Sequence, residues 1–227
     1  MVSRSRLRRW HIWLGWIVGL PILIWTASGL FMAAWPIETV RGEQLLREVP
    51  ARPLMRLAPP PAGPRPVKQI LLEHRPRGSV WIVRFADGSR IADAASGRWL
   101  PPPSAAEARM LVAERYAGES PITAVARIPA AEAPLELRRP LDTWQVGFAD
   151  GTHIYVDATT GEIVARRTEL WRVYDFLWGL HIMDPAGRTD FNNPWLIGFA
   201  ALATLTALLA LILLPLTLRR RRRLTLD

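Results

Sequence analysis

"VWIVRFADGSRI", Val80 to Ile91, and "TWQVGFADGTHI", Thr143 to Ile154, are one pattern written twice at a constant offset of 63. In each, residues rich in Val, Ile, Trp and Phe flank an Asp-Gly pair, the strongest short-range signal for a tight antiparallel hairpin. After one inserted residue the likeness resumes, with "DAASG" (Asp93 to Gly97) against "DATTG" (Asp157 to Gly161). Both are polar turns closing on a glycine able to adopt positive φ. Such self-similarity reads as an internal duplication. Phe85 and Phe148 are expected at matching core positions, and Asp87 and Asp150 are expected to make turns.

Outward from the second hairpin, Ser104 and Glu107 form a capping box ahead of "ARMLVAERYAG", which predicts a helix. Val67 to His74 is expected as a shorter helix ahead of the first hairpin, so that residues 67–103 and 104–168 each read as helix plus hairpin. Before them, "PARPLMRLAPPPAGPRP" (Pro50 to Pro66) has seven prolines in seventeen residues and favours extended polyproline II. Residues 36–66 are therefore expected as a proline-rich spacer.

At the flanks the composition changes. Trp10 to Trp35 and Pro194 to Leu218, of 26 and 25 residues, contain no Asp, Glu, Lys or Arg. At ~1.5 Å per residue each is long enough to cross a hydrocarbon core of ~30 Å. A cleaved signal peptide is the rival for the first, but its apolar run is too long and carries Trp10, Trp13, Trp16 and Trp25. The formal net charge is +9 in 227 residues, and +8 of it sits in the tails 1–9 and 219–227, where Arg4, Arg6, Arg8, Arg9 and Arg219 to Arg223 face only Asp227. The middle of the chain is nearly neutral, which argues against nucleic acid as a partner. The positive-inside rule predicts cytoplasmic termini, an exported (periplasmic) middle and a multi-pass protein of the inner membrane. The absence of cysteine excludes disulfides, thiolate metal sites and covalent haem attachment. In residues 169–193, Trp171, Tyr174, Phe176, Leu177, Trp178 and His181 gather on one side of an expected interfacial helix, which "DPAGRTDFNNP" then breaks.

Two copies of "W.V.F.DG…D..TG" resemble PepSY domains. "RRWHIWLGWIVGLPILIWTASGL" (Arg8 to Leu30) and "LWRVYDFLWGLHIMDPAGRTDFNNPWLIG" (Leu170 to Gly198) resemble the membrane segments of PepSY-associated transmembrane proteins. The resemblance implies an α+β membrane-anchored fold, with two transmembrane helices flanking a duplicated PepSY-like helix-plus-antiparallel-hairpin periplasmic domain. Larger relatives include b-haem reductases that release iron from siderophores, and this chain departs from them in having two spans.

His11 and His181 match histidines of the family motifs, and the resemblance makes them the candidate haem b ligands. Gly15 and Gly19 follow His11 at four and eight residues, leaving a bare helix face that suits either a macrocycle or a GxxxG packing contact. The topology sets His11 and His181 at opposite depths, so one chain does not present both to a single iron; a homodimer pairs each with its own copy. His74 and His153, the latter aligned with Arg90, are expected to be solvated. No HExxH, phosphate loop or thiol nucleophile supports an enzyme class. The expected function is a membrane binding or accessory module in iron or siderophore uptake, with the lipid bilayer and a homodimer or membrane partner protein as its contacts. The rivals are a haem-containing ferric-siderophore reductase component and a regulator of an exported peptidase.

Overall fold

The computed structural model describes residues 4–49, 56–61, 63–75 and 77–224. The chain divides into a helical unit, Met1–Trp35 with Val173–Asp227, and a sheet unit, Pro36–Arg172.

In the helical unit, α1 (Arg4–Ala34) and α5 (Pro194–Leu224) outrun the apolar windows at their basic ends. Both are long and apolar enough to cross a membrane, the most apolar 18-residue windows within Ser5–Ala34 and Pro194–Pro215 having mean hydropathies of 1.9 and 2.5. Each withdraws one stripe from the surface: His11, Leu14, Val18, Pro21, Ser28 and Met32 on α1, and Leu196, Phe199, Ala203, Thr206, Ala210 and Leu213 on α5. Steps of three and four are the seam of left-handed helix pairs, and Ala203, Thr206 and Ala210 let the backbones approach. Asn193, at the start of α5, bonds the carbonyl of Ile182, whose neighbour His181 lies on Trp25 and Ser28 of α1. From there α5 runs back along α1, so the pair is antiparallel.

The sheet unit holds two antiparallel sheets. The first is β1 (Val67–Arg75), β2 (Gly78–Phe85) and β3 (Ser89–Asp93); the second is β4 (Ile122–Ile128), β5 (Thr143–Phe148), β6 (His153–Asp157) and β7 (Ile163–Arg167). Both expected hairpins are present, and so is the capping box opening α3 (Ala105–Arg115). Val67 to His74, expected as a helix, is instead β1, paired along its length with β2. Ile70, Leu71 and Leu72 fit either period, and the waiting edge of β2 decides. The first hairpin therefore has no helix ahead of it.

The constant offset also fails across the turn. Four residues, Phe85 to Gly88, separate the paired Arg84 and Ser89, whereas five, Phe148 to Thr152, separate Gly147 and His153. A one-residue difference turns every following side chain to the other face. Ile91 consequently pairs with Ile82, while Ile154 pairs with Val146, sixty-three beyond Val83. His153 corresponds by register to Ser89, not to Arg90.

The second sheet lays Val146, Phe148, Ile154 and Val156 against Ala108, Val112 and Tyr116 of α3 and its C-cap. On the first sheet the corresponding face, with Trp81, Val83 and Phe85, is covered by the end of the proline-rich segment. Trp81 Nε1 donates to the Ala58 carbonyl at 2.8 Å, Ala58 N donates to Ala94 O, and the Arg65 guanidinium lies 4.1 Å over the Phe85 ring. Trp144, sixty-three after Trp81, likewise donates to a carbonyl, that of Pro103, just ahead of α3. A proline run cannot make a helix, so an extended strap lies where the second sheet has α3. Residues expected as spacer also include α2 (Ile37–Val40) and a 3₁₀ turn, Glu43–Leu45; Leu45 and Leu46 pack on the second core, and Leu46 bridges to Tyr116.

Candidate functional site

The two histidines singled out in the sequence are placed differently. His181 ends α4 (Glu169–His181), and its ring stacks on Trp25 with centroids 4.7 Å apart. Its Nδ1 lies 3.1 Å from both the Trp25 carbonyl and Ser28 Oγ, and Ser28 itself donates to that carbonyl. A carbonyl only accepts, so Nδ1 carries the proton and the Nε2 lone pair points away. Gly29 makes room: a Cβ there would stand 3.1 Å from His181 Cε1. Gly29→Ala is expected to push the ring off Trp25 at a cost of about 1 to 2 kcal/mol. The check is thermal unfolding in detergent with the His181 ring shifts followed by NMR; an unmoved ring at unchanged stability would refute it.

His11 lies on the seam of α1, fourteen residues before Trp25, which is about 21 Å along a helix axis. Axial ligands of one iron must approach it from opposite sides of one macrocycle, so the pair does not fit haem within a single chain. A Cβ on Gly15 or Gly19 would meet nothing within 4 Å, so neither glycine is needed for close approach in the described residues, whereas Gly29 is, against His181 of α4.

After His181 the chain is knitted into a return loop. The Asp175 carboxylate, buried, takes Arg188 Nη1 at 2.7 Å, and Gly179 leaves space for the Arg188 stem. Asp184 accepts the backbone N–H groups of Thr189, Asp190 and Gly187, which hold its carboxyl below the usual range. Asn193 bonds Ile182 O and Asp190 O and accepts Leu196 N, capping α5. The polar residues of "DPAGRTDFNN" are thus spent on reversing the chain.

In the sheet unit a cleft of about 270 Å³ opens between the first sheet and the back of α3. Val80, Ile91, Leu100, Met110 and Leu111 line it, with Arg77 and Glu114 among its charged residues. It exists because β3 turns Ile91 to this face and because α3 commits Ala108 and Val112 to the other sheet. Arg75, reaching Thr160 O at 2.5 Å and Glu73 at 2.9 Å, fastens the first sheet to the turn of the second. Apolar walls with charge of both signs are the features of a binding cleft.

On the face of the second sheet away from α3 lies a polar cluster that composition did not reveal. Glu136 accepts Tyr155 OH at 2.5 Å, His153 Nδ1 at 2.8 Å and Arg172 Nε at 2.9 Å. Arg172 also donates to Gly151 O and pairs with Glu169. Burial raises the Glu136 carboxyl, but the bonds from Tyr155, His153 and Arg172 outweigh it and hold the group below its ordinary value. Burial and the Glu136 contact push the Tyr155 phenol far up. His153 is therefore held in hydrogen-bond contact with Glu136 and Arg172 rather than solvated, and His74, also expected to be solvated, bonds Ser79 Oγ at 2.7 Å. The signal for the cluster was the alternation that sets Gln145, His153 and Tyr155 on one face and Val146, Ile154 and Val156 on the other.

Comparison with known proteins adds one match: a family model described as the PepSY-associated TM region covers residues 8–227. No curated protein and no solved structure matches.

Proposed function

Because the chain belongs to the PepSY-associated transmembrane family, we propose that this membrane protein holds its sheet unit on the periplasmic side of the inner membrane as a binding or accessory module in iron or siderophore uptake. The observation that carries a binding role is the cleft between the first sheet and α3. The arginine tails support cytoplasmic termini and an exported middle. The matched turns support descent of the sheet unit from a duplication: Asp93 and Asp157 each cap a turn through Oδ1, and each turn closes on a glycine, Gly97 or Gly161, at φ 72 and 78. Iron enters through the family resemblance. Reporter fusions at residue 227 and at Pro61 are expected on opposite sides of the membrane. Purified protein is expected to show saturable quenching of tryptophan fluorescence by a ferric hydroxamate siderophore, lost in Leu111→Glu, which puts a charge into the cleft. Fusions on one side overturn the topology; no quenching, or equal quenching in the variant, overturns the iron-ligand role of the cleft.

A further inference from the structure

The N-terminal end of α1 carries a feature that topology alone does not require. Arg6, Arg9, Trp10, Trp13 and Trp16 recur at steps of three and four and so share one face of the helix. That face lies apart from the α5 seam: Trp10 is 65 % exposed, Trp13 64 % and Trp16 80 %, and Arg6 and Arg9 are exposed as well. Neither arginine has a hydrogen bond or ion pair among the described residues. Below Trp16 the same face continues with exposed Ile17, Leu20 and Leu23. Descending the helix, a surface molecule meets two guanidinium groups, then indoles, then a purely aliphatic strip.

That sequence of chemistries matches one occupant. A phospholipid has a phosphate at the depth of the arginines, an ester region where indole rings settle, and acyl chains that lie on the aliphatic strip. The positive-inside rule needs only charge near a span and is indifferent to which side of the helix bears it. Here two arginines stand directly over the exposed tryptophans, while Arg8 points elsewhere around the helix. We infer that Arg6 and Arg9, with Trp10 and Trp13, form a binding site for the headgroup of an anionic phospholipid. The two guanidinium groups hold the phosphate with charge-assisted hydrogen bonds, and they favour lipids with net negative charge over zwitterionic ones, whose own ammonium competes for the phosphate. The site depends on neither the cleft nor the direction of export.

The test uses the full chain in neutral detergent, titrated with phosphatidylglycerol or phosphatidylcholine of matched acyl chains and read by native mass spectrometry. The first phosphatidylglycerol is expected to bind about 25-fold more strongly than the first phosphatidylcholine, since each of the two well-placed arginines contributes about fivefold. In Arg6→Gln/Arg9→Gln the preference should fall to within about twofold. Arg8→Gln/Arg219→Gln removes the same charge from elsewhere at the same end and should retain most of it. Circular dichroism in the same detergent verifies that both variants keep their helices. Absence of preference in the unaltered protein overturns the site, and an equal fall in both double variants reduces it to general surface charge.

Discussion

Truncation of Phe148 to alanine is expected to destabilise the sheet unit by about 3 to 5 kcal/mol, the cost of deleting a well-enclosed aromatic ring and leaving its cavity. Phe148 is 5 % exposed, and its ring lies 4.2 Å from that of Tyr116 between α3 and the second sheet. Since α3 is also held by its capping box and by Val112, the hole cannot close cheaply. Phe85 is equally buried, but one neighbour is the half-exposed guanidinium of Arg65, paired with Asp87, and another the Trp99 ring at 6.3 Å. Its truncation is expected at the lower end, about 3 kcal/mol, because an extended strap can settle where a capped helix cannot. Denaturant unfolding of the full chain in detergent, followed by a sheet-unit probe, checks both. A loss below about 1 kcal/mol at Phe148 would show that this packing does not hold the unit together.

Replacing Glu136 by alanine is expected to cost about 3 kcal/mol near neutral pH, since Arg172 and the buried Tyr155 hydroxyl lose their shared acceptor. The pH dependence has a fixed sign. The Glu136 carboxyl is held below its ordinary value in the folded protein, so its contribution is fully present above the unfolded value of about 4.3. It fades as pH falls from there through the folded value. The unaltered protein should therefore lose stability on acidification below about pH 5, and the gap between it and Glu136→Ala should narrow there. Unfolding midpoints at pH 7 and pH 3.5 measure this; a gap that stays constant or widens in acid would remove Glu136 as the hub.

What could be read from the sequence was local. The hairpins, the capping box and the apolar spans each depend on residues within a few positions of one another, and all are present. The helix expected at Val67 to His74 failed because pairing with β2 overrode an ambiguous period. The constant offset failed across the turn for a subtler reason: matching Ile91 to Ile154 maximises identity, whereas the chain absorbs its extra residue in the turn, where identity is blind. The site residues follow the same division. His181 could be singled out, but its partners Trp25 and Ser28 lie more than 150 positions away. Glu136, on a short 3₁₀ turn between prolines and arginines, resembles any solvated acid until the polar face of β5 and β6 closes over it. The cleft belongs to no single segment, since its walls come from two hairpin strands and from the back of a helix whose front serves the other sheet.

Arg75 has a consequence for how the chain acquires its shape during synthesis. Its guanidinium closes on the carbonyl of Thr160, eighty-five positions later, and beside it Arg84 pairs with Glu162. The first sheet can pair its strands as soon as it leaves the ribosome, but its fasteners have nothing to grip until the turn after β6 follows. At roughly 5 to 20 residues per second the wait is several seconds. Through that interval the nascent first sheet carries Val80, Ile82 and Ile91 while α3, made meanwhile, still lacks the second sheet on which its other face packs. The fastening of the first sheet to the second is thus timed by the arrival of residues 157–162.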